Sequence, residues 1–217
     1  MSSKRGAVFD WDGVIINSAA HHEESWTRLA RELDKPLPDG HFKRGFGMKN
    51  EVIFPNILHW TSDPVEIRIY SLRKEAIYRE IVVEKGVKPL PGVESWLKNL
   101  RAENIPCVVA SSTHLENITT TLEVLGFENY FAAIVSAEDV KKGKPDPEVF
   151  LTAAKKIGAE PAQSVVFEDA LVGISAGKAA GMKVVAVATT EPKDKLAHAD
   201  WVVDQLDELS IAQLWPE

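Results

Sequence analysis

Six short apolar runs punctuate the chain: residues 7–9, 107–110, 133–135, 165–167, 184–187 and 201–203. None alternates apolar with polar positions, and unbroken runs of this length suit strands covered on both faces, as in a parallel sheet. Helical signals lie between most of them. In THLENITTTLEVLG, after the second run, Thr113 and Glu116 stand at capping-box spacing and Gly126 is placed as a helix stop. In DPEVFLTAAKKIG, after the third, Asp146 can cap, Pro147 suits the first helical position and Gly158 ends the helix. The repeated strand–helix–strand rhythm predicts an α/β fold, a doubly wound Rossmann-like parallel sheet with ligands outside the carboxyl ends of its strands.

Residues 17–88 break this rhythm. They hold no convincing run of strand formers and show helical spacing instead, as at Trp26, Leu29, Ala30 and Leu33. The segment reads as an inserted helical subdomain, with Trp26 and Trp60 in its core. Its edges are the polar Asn17–Ser18 and the Pro89–Gly92 stretch, which leaves residues 1–16 and 89–217 as the α/β core. The chain has no internal repeat and no low-complexity tract.

Composition narrows the function. With 217 residues, 45% hydrophobic and 26% charged, the chain is that of an ordinary globular protein. A formal charge of −7 without a dense run of Lys and Arg argues against nucleic acid as a partner. Any anionic substrate must then meet locally placed positive charge. Cys107 is the single cysteine and sits in an apolar run, so no internal disulfide forms and a buried, inert thiol is expected. No segment approaches the roughly 20 apolar residues of a membrane span, and the N-terminus shows no secretory leader. The expected setting is cytoplasmic, without a membrane partner, for a monomer or weak homo-oligomer.

The chemistry-bearing residues gather at strand ends. The first run ends in Asp10-Trp11-Asp12-Gly13, which puts two carboxylates where such a sheet delivers its site. One carboxylate at such a strand end can attack phosphorus to give an aspartyl phosphate, while the second hands a proton to the leaving oxygen and later takes one from water. Alternatively the pair merely caps a turn. The second run delivers Ser111 and Ser112 just before the helix, a phosphate cradle if they are not simple caps. Lys144, held extended by Pro145 and placed just before a helix start, aims a cation at the same crevice, whereas Lys141 and Lys142 read as a solvated pair. The fourth run ends in Glu168-Asp169. Burying Asp10, Asp12, Glu168 and Asp169 together calls for a hard cation with oxygen ligands, and Mg²⁺ is the natural choice.

Two glycine patterns are set aside. Gly45-Phe-Gly47 lacks the third glycine of a dinucleotide loop, and Gly177-Lys178 is followed by Ala179 where a Walker loop needs a hydroxyl. Gly173, Gly177 and Gly181, at four-residue spacing, read as a tightly packed helix face.

Taken together, DWDGV, the serine of VVASST, the lysine of KGKPDPEVF and FEDALVGISAGKAAGM resemble the four motifs of the haloacid dehalogenase superfamily, over nearly the whole chain. The resemblance is to its β-phosphoglucomutase-like phosphatases with a helical cap. It implies Asp10 as nucleophile, Asp12 as acid/base and backbone-carbonyl metal ligand, Ser111 and Lys144 as phosphate binders, and Glu168 and Asp169 as the metal side. An aspartate at position 12 favours phosphoryl transfer over dehalogenation, which needs no proton on its leaving group. His22 and Lys74 fall where the mutase has cap residues that engage the site; the plainer readings are a helix-surface histidine and a solvated lysine. The mutase's phosphate-gripping arginine corresponds to Met48, and neighbouring Lys49 lacks a guanidinium's bidentate fork. The expected activity is therefore an Mg²⁺-dependent phosphatase of a small phosphorylated metabolite. A phosphomutase, or a non-catalytic protein that binds a phosphate ligand, is the alternative.

Overall fold

The computed structural model describes residues 4–45, 48 and 50–216. The chain divides into two compact units, Met1–Asn17 with Val87–Glu217, and Ser18–Gly86.

The first unit holds a sheet of six strands, β1 (Gly6–Phe9), β2 (Cys107–Ala110), β3 (Phe131–Val135), β4 (Ser164–Glu168), β5 (Lys183–Val187) and β6 (Trp201–Val203). Every pairing is parallel, in the order β3-β2-β1-β4-β5-β6. The chain thus winds outward from β1 to β3, returns to the other side of β1, and winds outward again to β6. In sheets of this kind ligands bind at that reversal, beyond the carboxyl ends of β1 and its two neighbours.

Successive side chains of the buried strands feed two different cores, which explains the unbroken apolar runs. Ala7, Phe9, Val109, Val165 and Phe167 face one layer with Trp96, Leu97 and Leu100 of a helix over Val93–Ala102. Val8, Val108, Val166 and Val184 face the other, with Val149, Phe150 and Ala153 of a helix over Glu148–Lys156 and Ile174 of a helix over Leu171–Ala179. Phe9 and Phe167 stack across β1 and β4 with ring centroids 4.4 Å apart, and Trp96 meets Phe167 edge-on at 6.0 Å.

Numbered along the chain, the helices are α1 (Ala19–Glu32), α2 (His41–Gly45), α3 (Asn50–Ile53), α4 (Pro64–Lys85), α5 (Val93–Ala102), α6 (Leu115–Leu125), α7 (Glu148–Lys156), α8 (Leu171–Ala179) and α9 (Ile211–Leu214). α1 to α4 build the second unit. Its core joins Trp26, Leu29 and Ala30 of α1 to Phe54, Leu58 and Trp60 and to Ile67, Ile77 and Ile81 of α4. Among the described residues no helix is long and apolar enough to cross a membrane.

Three local expectations change. α6 begins at Leu115, so Thr113 and Glu116 form no capping box; Glu138 instead accepts from the Leu115 N–H at 3.2 Å and pairs with His114 at 2.7 Å. A carboxylate from a neighbouring loop has taken the cap, which releases the threonine hydroxyl. α7 begins at Glu148 with Pro147 in the cap position, while Asp146 still accepts from the Glu148 N–H at 3.0 Å. Gly181 lies beyond α8 at φ +72°, so the packed face consists of Gly173 and Gly177. At Gly177 a Cβ would lie 2.8 Å from Val184, the closeness that seats α8 on the sheet.

Phe167→Ala removes a fully buried ring from the aromatic stack under the crevice and should cost about 3–5 kcal/mol. A urea titration that finds less than about 1 kcal/mol would contradict this packing role.

Candidate active site

The parallel pairing of β1 with β4 builds the site. Phe9 stands opposite Phe167, and the Asp10 N–H donates to the Phe167 carbonyl at 3.0 Å. The residues that follow the two strands are therefore neighbours, although they stand far apart in sequence. Asp10, Glu168 and Asp169 each offer a carboxylate oxygen within 4.8 Å of the others. Lys144 reaches in from the loop before α7, its Nζ 2.9 Å from Asp10 Oδ1 and 2.6 Å from Glu168 Oε1. The peptide that links Lys144 to Pro145 is cis.

Each acidic group is held by donors of this chain. Glu168 Oε2 accepts from the N–H groups of Asp169 and Ala170, both at 2.7 Å, which fixes the carboxylate against its own strand end. Thr190 donates to Asp169, and Thr189 donates to the Gly13 carbonyl. Two glycines make room. Gly13 turns at φ +80°, where a Cβ would overlap the Asp169 carboxylate, and a Cβ on Gly173 would overlap that of Glu168.

A second set of bonds lies at the ends of β1 and β2. Thr113 donates from its hydroxyl to Asp12 Oδ2 at 2.6 Å, and its N–H donates to the hydroxyl of buried Ser111 at 3.2 Å. Ser112 is exposed. Lys141 and Lys142 are exposed too, with their N–H groups on the Glu148 carboxylate.

Burial and mutual repulsion dominate the electrostatics. Asp169 is pushed up to about 8, first by burial and then by the charges of Glu168 and Asp10. Burial likewise raises Glu168. For Lys144 burial opposes the charge, but the carboxylates of Asp10 and Glu168 outweigh it and hold the ammonium above the ordinary lysine value. One cation thus balances three clustered carboxylates incompletely. An oxygen-only donor set with surplus negative charge fits a hard divalent cation. Cys107 stands apart from the cluster's chemistry as a buried thiol pushed up to about 12 by desolvation.

His22 and Lys74 come together within the helical unit, and neither is a solvated surface group. His22 stacks on Tyr78 at 4.1 Å, and its Nδ1 lies 3.3 Å from Lys74 Nζ. Lys74 is buried, 2.5 Å from Glu75 Oε1 and 5.4 Å over the Trp26 ring. Burial, then the Lys74 charge, holds His22 well below the ordinary histidine value. Met48 is exposed, while Lys49 and Gly47 fall outside the described residues.

Sequence reasoning overlooked Thr113, Thr189, Thr190 and the role of Gly173. Thr113 was disguised by its spacing to Glu116. Thr189 and Thr190 directly follow the fifth apolar run, so the strand-end rule applied to β5 would have found them.

The fold and this clustering describe an α/β enzyme built around an acidic, lysine-bearing strand-end site. Residues 7–187 match the sequence profile of the haloacid dehalogenase-like hydrolases, and the chain belongs to that family. It is 37% identical over 212 residues to a chloroplastic 5-amino-6-(5-phospho-D-ribitylamino)uracil phosphatase of Arabidopsis thaliana, with 96% of this chain and 56% of that one covered. The chain therefore spans little more than half of that relative. It is 31% identical to the validoxylamine A 7′-phosphate phosphatase of Streptomyces hygroscopicus subsp. limoneus, with 97% and 96% covered. Among solved structures, a β-phosphoglucomutase from Clostridium difficile aligns with TM-score 0.80 at 28% identity, covering 96% of this chain and 94% of the other.

A group whose folded pKa is raised favours the fold while protonated. Asp169 contributes that stability below its ordinary value of 3.8 and loses it as pH rises through about 8. A divalent cation needs the ionised form, so its binding should release protons below about pH 8 and tighten as pH approaches that value. Calorimetry in buffers of different ionisation enthalpy reads both effects; binding with no proton release at pH 6 would refute the assignment.

Proposed function

We propose that this chain is an Mg²⁺-dependent phosphatase of a small phosphorylated metabolite that works through an aspartyl phosphate on Asp10. The observation that carries the reading is the placement of Asp10, 2.9 Å from the buried Lys144 ammonium and in one carboxylate cluster with Glu168 and Asp169.

In this reading the Lys144 ammonium and the Ser111 hydroxyl bind the oxygens of the phosphoryl group, and Glu168 keeps Lys144 aimed. A carboxylate oxygen of Asp10 forms a bond to phosphorus as the bond to the substrate oxygen breaks, and Asp12 gives its proton to that oxygen. Water then attacks phosphorus while Asp12 takes back a proton, which returns Asp10 as a carboxylate and releases phosphate. Asp10, Glu168, Asp169 and the backbone carbonyl of Asp12 would hold Mg²⁺, which supplies the positive charge that screens the attacking carboxylate from the phosphate. Ser112 is the further candidate for a phosphate contact, and His22 and Lys74 are candidates for contacts to the rest of the substrate. The acidic net charge supports a small metabolite rather than nucleic acid. The names of two relatives as phosphatases of phosphorylated metabolites support the substrate class.

The test is a panel of phosphorylated metabolites with Mg²⁺, run with EDTA and Asp10→Asn controls. Turnover should vanish with EDTA, fall on the order of 10³-fold or more in Asp10→Asn, and fall about 10²–10⁴-fold in Asp12→Asn. Phosphate release that survives unchanged in Asp10→Asn, or no hydrolysis of any member, would overturn the reading. Likeness to a β-phosphoglucomutase makes isomer exchange the second outcome to score, and a product assay separates it from phosphate release.

A further inference from the structure

α4 carries two apolar faces. Ile67, Ile77 and Ile81 point into the core of the helical unit. On the opposite side Val65, Ile69, Leu72 and Val83 are 66%, 57%, 59% and 65% exposed. With half-buried Ala76 they occupy a stripe about 60° wide at 3.6 residues per turn. Their spacing is that of a heptad seam, with Ile69, Ala76 and Val83 at one core position and Val65, Leu72 and Arg79 at the other, so the unbroken apolar stretch runs from Val65 to Ala76. Single exposed apolar side chains are ordinary, but a contiguous stripe along one helix marks an interaction surface.

The charges that flank the stripe select its occupant. Glu66 and Arg73 lie along one edge, Arg68 and Glu75 along the other, and Glu80 follows Arg73 by two turns. In a parallel pair of these helices Arg68 would meet the partner's Arg73, and Glu75 would meet the partner's Glu80, which are like charges. In an antiparallel pair centred between Ile69 and Leu72 the order reverses. Ile69 then lies against the partner's Leu72 and Val65 against the partner's Ala76. Glu66 falls beside the partner's Arg73, and Arg68 beside the partner's Glu75. A two-fold axis makes every one of these contacts twice. Arg73 is already bridged to Glu32 and Glu80 within its own chain, both at 2.6 Å, and these bonds fix its guanidinium at the rim. Glu75 is largely buried beside Lys74, so the pair along that edge is the weaker one.

We infer that the outer face of α4 is the contact of an antiparallel two-fold homodimer of this chain. From Val65 to Ala76 the stripe matches itself in charge in that register, so a second copy is the occupant and the symmetry closes the assembly at two. A single helix pair is a small interface, so the dimer is weak and reversible. The inference goes beyond the phosphatase reading and does not depend on it.

Sedimentation equilibrium of the full chain reads the result directly. A reversible monomer–dimer equilibrium is expected in the range from about 10 µM to 1 mM. Leu72→Glu should shift it at least about tenfold towards monomer, with thermal unfolding unchanged because the site is exposed. Glu66→Arg leaves the apolar stripe whole and should also weaken association, since it faces the partner's Arg73. On mild oxidation the Val65→Cys, Ala76→Cys double variant should give a covalent dimer while Ala76→Cys alone does not; buried Cys107 keeps the background low. A wild-type chain that is monomeric throughout the range, a dimer indifferent to Leu72→Glu, or cross-linking of Ala76→Cys alone would each overturn the proposal.

Discussion

Three carboxylates cluster at the ends of β1 and β4, two of them on one buried ammonium, and the rest of the α/β unit is arranged so that this can persist. Removing an ion from water costs several kcal/mol even after relaxation, and a partner recovers this only with good geometry and further hydrogen bonds. The structure supplies both where it can. Lys144 bridges Asp10 and Glu168, the N–H groups of Asp169 and Ala170 both donate to Glu168 Oε2, and Thr190 donates to Asp169. Burial first, then the charges of Glu168 and Asp10, raises Asp169, and an oxygen-only cluster of this kind fits a hard divalent cation.

The sheet order converts that local constraint into a rigid frame. β1 and β4 are adjacent because the chain reverses its winding between β3 and β4, and their backbone bonds fix Asp10 against Glu168 and Asp169. Beneath the site, Phe9 and Phe167 stack, so the two strands cannot slide without disturbing a buried aromatic pair. Glycines 13 and 173 complete the frame by letting backbone approach carboxylates where any side chain would collide. Precision here comes from strands and packed helices rather than from long loops, as charge stabilisation of a reacting group requires.

Much of this was legible in the sequence because its signals are local. Unbroken apolar runs marked the strands to within two residues. Polar residues directly after those runs pointed to the crevice because strand direction dictates where they emerge. What was not legible depends on which partner a side chain finds in space. Thr113 has the spacing of a helix cap, yet Glu138 supplies the cap from a distant loop and frees the hydroxyl for Asp12. Gly173 looks like a packing glycine until the Glu168 carboxylate is seen against it. Lys74 sits in a charged helical stretch, and its burial rests on partners that spacing does not show, Glu75 Oε1 at 2.5 Å, His22 Nδ1 at 3.3 Å and the Trp26 ring at 5.4 Å.

The separation between Asp10 and Asp12 follows from the same logic of partners. Two residues apart in sequence, they face unlike neighbours: Asp10 meets an ammonium and Asp12 meets the Thr113 hydroxyl. The Lys144 ammonium lies 2.9 Å from Asp10 Oδ1, the distance of a charge-assisted bond. A hydroxyl both donates and accepts, so Asp12 can gain or lose a proton and keep its hydrogen bond in either state. In the proposed reaction Asp12 must do both in one cycle, first as acid and then as base, while Asp10 must never serve as either. One strand end thus carries two carboxylates in different surroundings, an ammonium beside Asp10 and a threonine hydroxyl on Asp12.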